Sequence, residues 1–441
     1  VFLGLTLGCA RCHDHKYDPV SQREYYRMFA IFNNVDEVDK EADRKYFNKP
    51  FLELGTPEQI AAHAAWEEKM QRLDANLRKY LESITGDAMA DPKVAAMQKE
   101  IDQIRRQKPK FTRTLIMRDL STPRQSYIHL GGDFTRRGVN VTPGTPSILP
   151  PNGVSGRPVN RLDFARWLFR PDHPLTSRVT VNRIWQKYFG RGIVGTENDL
   201  GLQGDQPTHP ELLDYMASEF REKGWSQKAL HRFIVTSATY RQSSNARPDA
   251  AAADPENKLY ARQNRLTLDA ELIRDSSLVA AGLLSPTVGG PSVFPPIPAG
   301  ANSVTQVLRP WETSKGPDRY RRGLYTFHQR SAPHPALVLF DAPDGGVTCT
   351  RRVRSNSPLQ ALMMLNDETS NEFAQALAAR SLQEASASDA GRIRRLYQLA
   401  LNRPPSAEEL AKVRDFVQSK PNSWTALARA LMNVDEFLTR P

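Results

Sequence analysis

The stretch TPEQIAAHAAWEEKMQRLDANLRKYLESI, Thr56 to Ile84, predicts a long helix. Thr56 and Gln59 form a capping-box pattern, and Pro57 stands at the first helical position, so the helix is expected to begin here. Six apolar residues then alternate spacings of four and three, which is the seam of a coiled-coil helix. They are Trp66, Met70, Leu73, Leu77, Tyr80 and Ile84.

A second seam follows after a break at residues 86–92. Val94, Met97, Ile101 and Ile104 continue the same spacing. Two such helices joined by a short loop predict an antiparallel helical hairpin over residues 51–107. No residue type that is typical of catalysis or metal binding recurs along the hairpin. Its expected role is therefore structural or in docking.

The rest of the chain predicts a mainly α fold with many Pro/Gly-rich loops. Residues 112–117 and 125–130 read as short strands, which makes 108–160 a small β element and linker. Residues 161–441 are expected to form a multi-helix C-terminal domain, interrupted by a Pro- and Gly-rich segment at 285–355. Helix starts are predicted at capping patterns that begin at Ser21, Thr208, Ser226, Ser357 and Ser406.

Composition is that of a globular protein with a basic surface. The chain has 441 residues and a formal net charge of +11. Lysine and arginine are spread along it without a helix-turn-helix, zinc-finger or RNA-binding signature, so nucleic-acid binding is not expected. A basic surface would instead attract an acidic polysaccharide or an anionic redox partner.

No run of the sequence approaches the roughly 18 to 20 apolar residues of a membrane helix, so no membrane span is expected. The opening stretch lacks the basic region and cleavage site of a signal peptide, and the first residue is valine. The N-terminus is therefore expected to be cut.

The most specific motif is Cys9-Ala-Arg-Cys12-His13. In a Cys-x-x-Cys-His sequence both thiols add to the vinyl groups of one porphyrin, and the histidine presents its imidazole to the iron. With three cysteines and nine histidines in the chain, chance occurrence is about 4 in 10,000. We therefore expect Cys9, Cys12 and His13 to bind haem c, with His13 as the iron ligand.

Three other interpretations of the motif stay open at this stage. A zinc site could use Cys9, Cys12 and His13 or His15, although a second ligand pair is not evident. A dithiol redox pair would need a thioredoxin-like strand-to-helix context, which residues 4–8 do not supply. The motif could also serve local packing alone. Cys349 stands by itself, so no disulfide framework is expected.

The stretch LGLTLGCARCHDHKYD, residues 3–18, resembles a family of secreted planctomycete-type proteins in which cytochrome c segments precede a helical domain of unknown function. The resemblance continues at residues 173–186, 189–192, 209–213, 237–242, 351–362 and 433–437, and so covers nearly the whole chain. It implies a periplasmic, cell-surface or secreted location. It also implies that residues 1–50 are the C-terminal part of a haem-attachment segment. A c-type haem pocket normally has a helix before the motif, which eight residues cannot supply, so the alternative expectation is that this fragment does not retain haem.

Other candidate residues carry weaker signals. Tyr25, Met28, Phe29 and Phe32 form one helical face that could press on a porphyrin or join the core. For the second axial ligand the sequence offers Met28 or a distant residue such as His129, while His15 is too close to His13.

In the C-terminal half, Arg178, Asn182 and Gln186 lie at successive i+4 positions, and we hypothesise an exposed stripe that lines a saccharide-facing cleft. His209 and His231 are expected to be packed or capping histidines. Four arginines near His328 and His334 could bind carboxylate or sulfate groups, or pair with acidic neighbours. They are Arg321, Arg322, Arg351 and Arg352.

The sequence thus predicts a c-type haem protein for electron transfer outside the cytoplasm, coupled to carbohydrate catabolism, with a redox protein and a polysaccharide as partners. The alternative is a saccharide-binding or carbohydrate-active protein in which the helical domain does the work and the motif is peripheral. No Ser-His-Asp, paired-carboxylate or phosphate-loop pattern identifies an enzyme.

Overall fold

A computed structural model describes residues 1–35, 51–84, 91–303, 310–419 and 421–440. It confirms the mainly helical fold, with a few short antiparallel strands. The chain divides into two units. We call Leu7–His15 with Pro19–Trp167 the hairpin unit, and Val1–Thr6, Lys16–Asp18 and Leu168–Pro441 the helical unit.

The hairpin unit begins with a short 3-10 helix, Leu7–Arg11, that carries the first cysteine. Its other helices and strands are α1 (Gln22–Phe32), β1 (Phe51–Glu53), α2 (Pro57–Ser83), α3 (Pro92–Arg106), β2 (Arg113–Leu115), β3 (Ser126–His129), β4 (Arg137–Val141) and α4 (Arg161–Leu168). Residues 36–50 of the proposed haem-attachment segment and 85–90 of the break lie outside the described residues.

The antiparallel helical hairpin is confirmed. Thr56 caps α2 in a capping box with Gln59, and Asp91 caps α3. The indole of Trp66, early in α2, donates to the Ile104 carbonyl at the end of α3 (2.8 Å). Tyr80, late in α2, donates instead to the capping Asp91 (3.0 Å). These contacts join opposite ends of the two helices, as an antiparallel pair requires.

Both predicted strands of the linker region are present, but they pair with partners that the sequence did not indicate. The first, β2, pairs with β1, which closes the base of the hairpin. The second, β3, pairs with β4. Short two-stranded pieces of this kind give little independent stability, so the unit depends on its helices.

The buried face of α1 differs from the predicted one. Ser21 and Glu24 form the expected capping box. The buried residues are Tyr26, Ala30 and Ile31, whereas Phe32 is 47% exposed. The expected face of Tyr25, Met28, Phe29 and Phe32 is therefore only half-covered, because Tyr26 on the adjacent face makes the deeper contacts.

The helical unit consists of α5 to α17 with one small strand pair. Its elements are α5 (Thr176–Phe189), α6 (Pro210–Glu222), α7 (Gln227–Thr236), α8 (Ala238–Arg241), α9 (Pro248–Ala253), β5 (Leu266–Thr267), α10 (Ala270–Ala281), α11 (Pro335–Leu339), α12 (Pro358–Asn366), α13 (Glu368–Glu384), α14 (Asp389–Leu401), α15 (Ala407–Ser419), α16 (Ser423–Leu431), α17 (Asp435–Leu438) and β6 (Thr439–Arg440). The strand β5 pairs antiparallel with β6.

Two clusters of buried apolar side chains hold the helical unit together. One is centred on α5 and α6 and includes Trp185, Phe189 and Ile193. The other is centred on α10, α13, α14 and α16 and includes Leu278, Leu377 and Leu396. Side chains of this size, fully buried, contribute about 1.5–3 kcal/mol each relative to exposure.

Most predicted helix starts are confirmed, with one correction. Ser226 caps α7, and the patterns at Ser357 and Ser406 form their hydrogen bonds to Gln360 and Glu409. Thr208 does not cap α6. Its hydroxyl donates to the Ile193 carbonyl instead, and His209 occupies the cap position without a side-chain cap.

No helix in the described ranges is both long and apolar enough to cross a lipid bilayer.

Candidate functional site

The motif Cys9-Ala-Arg-Cys12-His13 occupies the 3-10 helix and the turn that follows it. Ala10 is fully buried, while Cys9, Cys12 and His13 are exposed. All three cysteines of the chain are free thiols, Cys349 included. The small residue between the cysteines anchors the turn, so both thiols remain at the surface and available for reaction.

Helix α1 holds the turn in place. The Arg11 carbonyl accepts hydrogen bonds from the Tyr26 hydroxyl (3.0 Å) and the Gln22 side chain (3.1 Å). The backbone N–H of Gln22 in turn donates to the Asp14 carboxylate (2.7 Å). Both sides of Cys12 and His13 are thus tied to the same helix.

The loop after β3 supplies a second support. The Arg11 guanidinium donates to the Gly132 carbonyl (3.1 Å). Gly132 has φ 78° and lies so close to the motif that a Cβ built on it would be 2.6 Å from the Cys12 Sγ. Only glycine satisfies both the positive φ and this close approach without displacing the thiol.

The imidazole of His13 is oriented by its own neighbour. Its Nδ1 lies 2.6 Å from the Asp14 carbonyl oxygen. A carbonyl can only accept, so the ring hydrogen is assigned to Nδ1, and Nε2 presents its lone pair. Nε2 has no hydrogen-bond partner within the described ranges. Metal-bound histidines are commonly held this way, with the other ring N–H donating to a backbone carbonyl.

Among the candidates for a second axial ligand, His129 is brought to the neighbourhood of the motif. Its half-buried ring packs against Tyr26 (ring centroids 4.9 Å apart) and Phe29 (5.7 Å). Tyr26 is the residue that bonds to Arg11, and Gly132 follows His129 by three positions. Met28 lies half-buried on α1.

A preformed metal cluster is not found in the described part of the chain, where no three His, Cys, Asp or Glu side chains are arranged to hold an ion. The zinc interpretation would need Cys9, Cys12, His13 or His15 to converge on one point. Covalent haem attachment does not require such convergence, since the porphyrin itself spans the distance between the thiols and the imidazole.

The hypothesis of an exposed stripe on α5 is wrong. Asn182 is 0% exposed, and its side chain bonds to both the N–H and the carbonyl of Val194 (2.9 and 3.0 Å). Gln186 is buried, and Arg178 pairs with Asp214 (2.6 Å). Asn182 therefore fixes the loop after α5, and the three residues do not form an exposed stripe. In the sequence, nothing marks this loop as the partner of Asn182.

The remaining candidate residues are mostly engaged in structure. The His231 ring contacts the Tyr188 hydroxyl (2.8 Å), and His209 contacts that of Thr208 (2.9 Å). Arg322 pairs with Asp275, and Arg352 pairs with Glu271. For these two arginines the structure shows the acidic pairing rather than an anion site.

The buried arginine Arg321 bonds to backbone carbonyls of Thr287, Gly289 and Pro291. His328 lies beside the Asp344 carbonyl (3.0 Å). Arg351 is exposed in an open cleft of about 600 Å³ that also contains Cys349. The structure does not gather these residues into one site.

The supports of the motif could not be found in the sequence. Arg11 and Gly132 are 121 positions apart, and Tyr26 belongs to a helix whose expected buried face was a different one. Gly131-Gly132 signals a turn, but nothing in its composition indicates that a cysteine lies against it.

Most of the chain matches models of two protein families. Residues 160–417 match PSD1, described as a protein of unknown function (DUF1553). The chain belongs to the PSD1 family. Residues 1–37, with the motif and α1, match PSCyt2, also described as a protein of unknown function (DUF1549). Both families are typical of planctomycete-type proteins, in agreement with the resemblance. No curated protein and no solved structure matches this PSD1 chain.

Proposed function

We propose that the chain binds one haem covalently through Cys9 and Cys12, with His13 as an axial iron ligand, and that it transfers electrons outside the cytoplasm. The observation that carries the proposal is the state of the motif. Two unpaired, exposed thiols three positions apart are followed by an imidazole whose Nε2 lone pair is available. These residues fit the group that the motif implies.

The chemistry asked of the chain is modest. Each thiol adds its sulfur and its hydrogen across one vinyl group of the porphyrin, so a C–S and a C–H bond form and nothing is released. The haem then supplies one-electron redox chemistry. The protein's contribution is to hold the turn rigid through Tyr26, Gln22 and Gly132, and to orient the His13 ring through the Asp14 carbonyl.

Charge supports a partner of the opposite sign. A net charge of +11 raises the local concentration of anionic surfaces and speeds encounter with them at low salt. Electron transfer requires a redox partner, and the positive charge of the chain favours an acidic one. An acidic polysaccharide would link the chain to carbohydrate breakdown. The saccharide-binding alternative has lost its main residues, since Asn182 and Gln186 are buried.

The test is expression of the chain behind a periplasmic export signal in a host that matures c-type cytochromes. We expect haem staining after denaturing electrophoresis, reduced α and Soret absorption bands, and one iron per chain. Titration should find one free thiol, Cys349, out of three.

The double variant Cys9→Ser/Cys12→Ser should lose all staining, because a thioether cannot form without its sulfur. Cys349→Ser is the matched control, since it removes an exposed thiol outside the motif and should stain fully. His13→Ala should shift the absorption bands while some covalent haem remains. A wild-type chain that does not stain, or a double variant that does, would overturn the proposal.

A further inference from the structure

The helical unit contains a small cavity that neither the motif nor the family assignment explains. It has a volume of about 60 Å³ and lies among α10, α11, α12 and α13. Its apolar wall includes Ile273, Phe340, Met364 and Phe373. Its polar lining includes Arg274, Thr326, His334 and Asp367.

Arg274 is a half-buried cation that forms no ion pair with any described residue. Its Nη2 donates to the Arg319 carbonyl (2.7 Å) and its Nε to that of Arg321 (3.4 Å). Within the described residues no carboxylate lies within 4 Å of its guanidinium, and Nη1 makes no hydrogen bond. Burial lowers the pKa of Arg274 to about 10, so the group is still charged at neutral pH.

The acidic residues that could neutralise Arg274 are committed elsewhere. Asp275 pairs with Arg322 (2.7 Å), and Glu372 pairs with Arg319 (2.6 Å). Both carboxylates attract Arg274 from a distance, but each forms its ion pair with another arginine. An anion in the cavity could therefore make a direct charge-assisted contact with Arg274 that no described carboxylate makes.

Two further polar atoms at the cavity are buried and have no hydrogen-bond partner among the described residues. The Thr326 Oγ1 is one of them, on a residue that is only 9% exposed. The other is the His334 Nδ1. His334 Nε2 lies 3.0 Å from the Pro296 carbonyl, which assigns the ring hydrogen to Nε2 and leaves Nδ1 as an acceptor. Buried polar atoms are usually paired, so both point to a ligand.

The requirements combine into one chemical class. Arg274 and Thr326 can donate to a carboxylate, while the His334 Nδ1 calls for a hydrogen-bond donor on the same molecule. The volume is about twice that of one water in the liquid, roughly 30 Å³, so the ligand has few heavy atoms. We propose that this cavity binds a two-carbon carboxylate with a hydroxyl or ammonium group next to the carboxyl, the chemistry shared by glycolate and glycine.

Asp367 sets the charge at the His334 side of the cavity. Its carboxylate caps α13 by accepting from the N–H groups of Thr369 and Ser370 (2.9 and 3.1 Å). His334 interacts electrostatically with both Asp367 and Arg274, yet no ion pair joins those two residues. A second carboxylate on the ligand would be repelled there, so the site excludes dicarboxylates.

The experiment measures binding to the whole chain in a buffer without carboxylates. Titration calorimetry and the melting temperature are followed with glycolate, glycine, acetate and, for ionic strength, sodium chloride. We expect glycolate or glycine to bind and to raise the melting temperature, and acetate, which lacks the donor, to bind about threefold to tenfold more weakly. Comparison of glycolate with glycine identifies the donor.

Thr326→Val is the decisive variant, because it replaces an unpartnered hydroxyl with a methyl group of the same shape. It should fold at least as well as the wild type, yet bind about threefold to tenfold more weakly. Arg274→Met should lose binding, and Arg330→Met, an exposed arginine that does not line the cavity, should not.

The absence of binding by glycolate and glycine would overturn the inference and indicate that ordered water alone meets these polar atoms. Unchanged affinity in Thr326→Val, or acetate binding as tightly as the better of the other two, would also overturn it. If Arg274→Met does not fold, Thr326→Val still decides. None of these measurements depends on haem, so this inference and the proposed function can fail separately.

Discussion

Asn182 shows how one residue's environment decides its contribution. Its side chain satisfies both backbone groups of Val194 inside the core. Asn182→Ala would leave the N–H and carbonyl of Val194 buried and unpaired, so we expect a loss of about 1–3 kcal/mol in the free energy of unfolding. Urea denaturation measures it. The exposed Asn245 is the control, and Asn245→Ala should stay within about 0.5 kcal/mol. Equal effects would show that the two hydrogen bonds do not matter.

Two adjacent glycines allow the contact with Cys12 to be isolated. Gly131 and Gly132 both have positive φ, and only the second lies against the thiol. Alanine at either position should cost about 1–2 kcal/mol for the left-handed backbone. Gly132→Ala should also push Sγ away from the loop and into solvent, so that Cys12 is alkylated faster relative to Cys9. Mass spectrometry gives this ratio, which Gly131→Ala should leave unchanged. A ratio that changes equally in both variants would contradict the contact.

At the level of single residues, the sequence predicts the reactive residues of a motif better than it predicts the burial and contacts of a side chain. The motif itself was recognisable because its spacing is dictated by the porphyrin. The burial of Asn182 was not, because a polar side chain at a helical spacing of four suggests exposure unless its partner is known. Val194 is only 12 positions away, yet no pattern marks a loop that folds back on its own helix.

On the scale of elements, the Glu24 carboxylate both caps α1 at Ser21 and ties the helix to Ser147. The Glu24 carboxylate accepts from the N–H and hydroxyl of Ser21 and from those of Ser147. Burial alone would raise the pKa of Glu24, but these hydrogen bonds outweigh it and lower the pKa to about 2. The folded chain thus binds the proton less tightly than the unfolded chain, whose Glu pKa is near 4.3.

This lowered pKa determines how the stability of the fold changes with pH. Glu24 stabilises the fold above about pH 4.5, and the stabilisation is lost as the pH falls towards 2. Glu24→Gln should therefore be less stable than the wild type at pH 7, and the difference in melting temperature should shrink below pH 4.5 and vanish near pH 2. Glu211→Gln, in the first turn of α6 and exposed, is the control and should lower the melting temperature at pH 7 less than Glu24→Gln does. A difference that is constant with pH would exclude the ionised carboxylate as the cause.

The hairpin of α2 and α3 should tolerate removal of one matched heptad from each helix. Deletion of residues 74–80 and 94–100 keeps the Asp91 cap and the contact of Trp66 with Ile104, and it places Ile84 and Ile101 on the old seam positions. We expect a cooperative thermal melt and a loss of helical circular dichroism equal to about four turns. Deletion of 74–80 alone misaligns the helices and should destabilise them. Loss of all tertiary structure in the matched deletion would place the hairpin in the main core.

Elements with a strong local signal were the ones the sequence predicted. The hairpin and the capped helices at Ser21, Ser226, Ser357 and Ser406 all rest on local rules of capping and periodicity. The strands β1, β4, β5 and β6 were missed. β1, β5 and β6 have two or three residues each and exist only through pairing with distant segments, and β4 exists through pairing with β3. Thr208 was misassigned since the distant Ile193 carbonyl competes for its hydroxyl.

Across the whole molecule, long-range pairings decide what local rules cannot. Leu266 of β5 pairs with Arg440 of β6, and the Leu268 N–H donates to the Leu438 carbonyl (2.9 Å). The same strand contacts the end of α5, where a Cβ on Gly190 would be 2.6 Å from the Leu266 side chain. Segments far apart in the sequence therefore meet at this point of the helical unit. No repeat or motif in the sequence predicts this contact.

The guanidinium of Arg440 completes this contact, and its removal gives the last prediction. It donates to the Tyr188 carbonyl, 252 positions away, and lies over the Tyr240 ring (5.5 Å). The final carbonyls of a helix have no partner within the helix, and a cation at that end is favourable. Arg440→Met would leave the Tyr188 carbonyl without its donor, so we expect the free energy of unfolding to fall by about 1–3 kcal/mol.

The matched control is Arg414→Met on the exposed face of α15, which should change stability by less than about 0.5 kcal/mol. Urea denaturation of both variants, followed by tryptophan fluorescence, measures the difference. Hydrogen exchange should localise it, with faster exchange at β5 and at the end of α5 than at α14. Arg440→Met as stable as Arg414→Met would mean that backbone pairing of β5 with β6 holds this junction without the guanidinium.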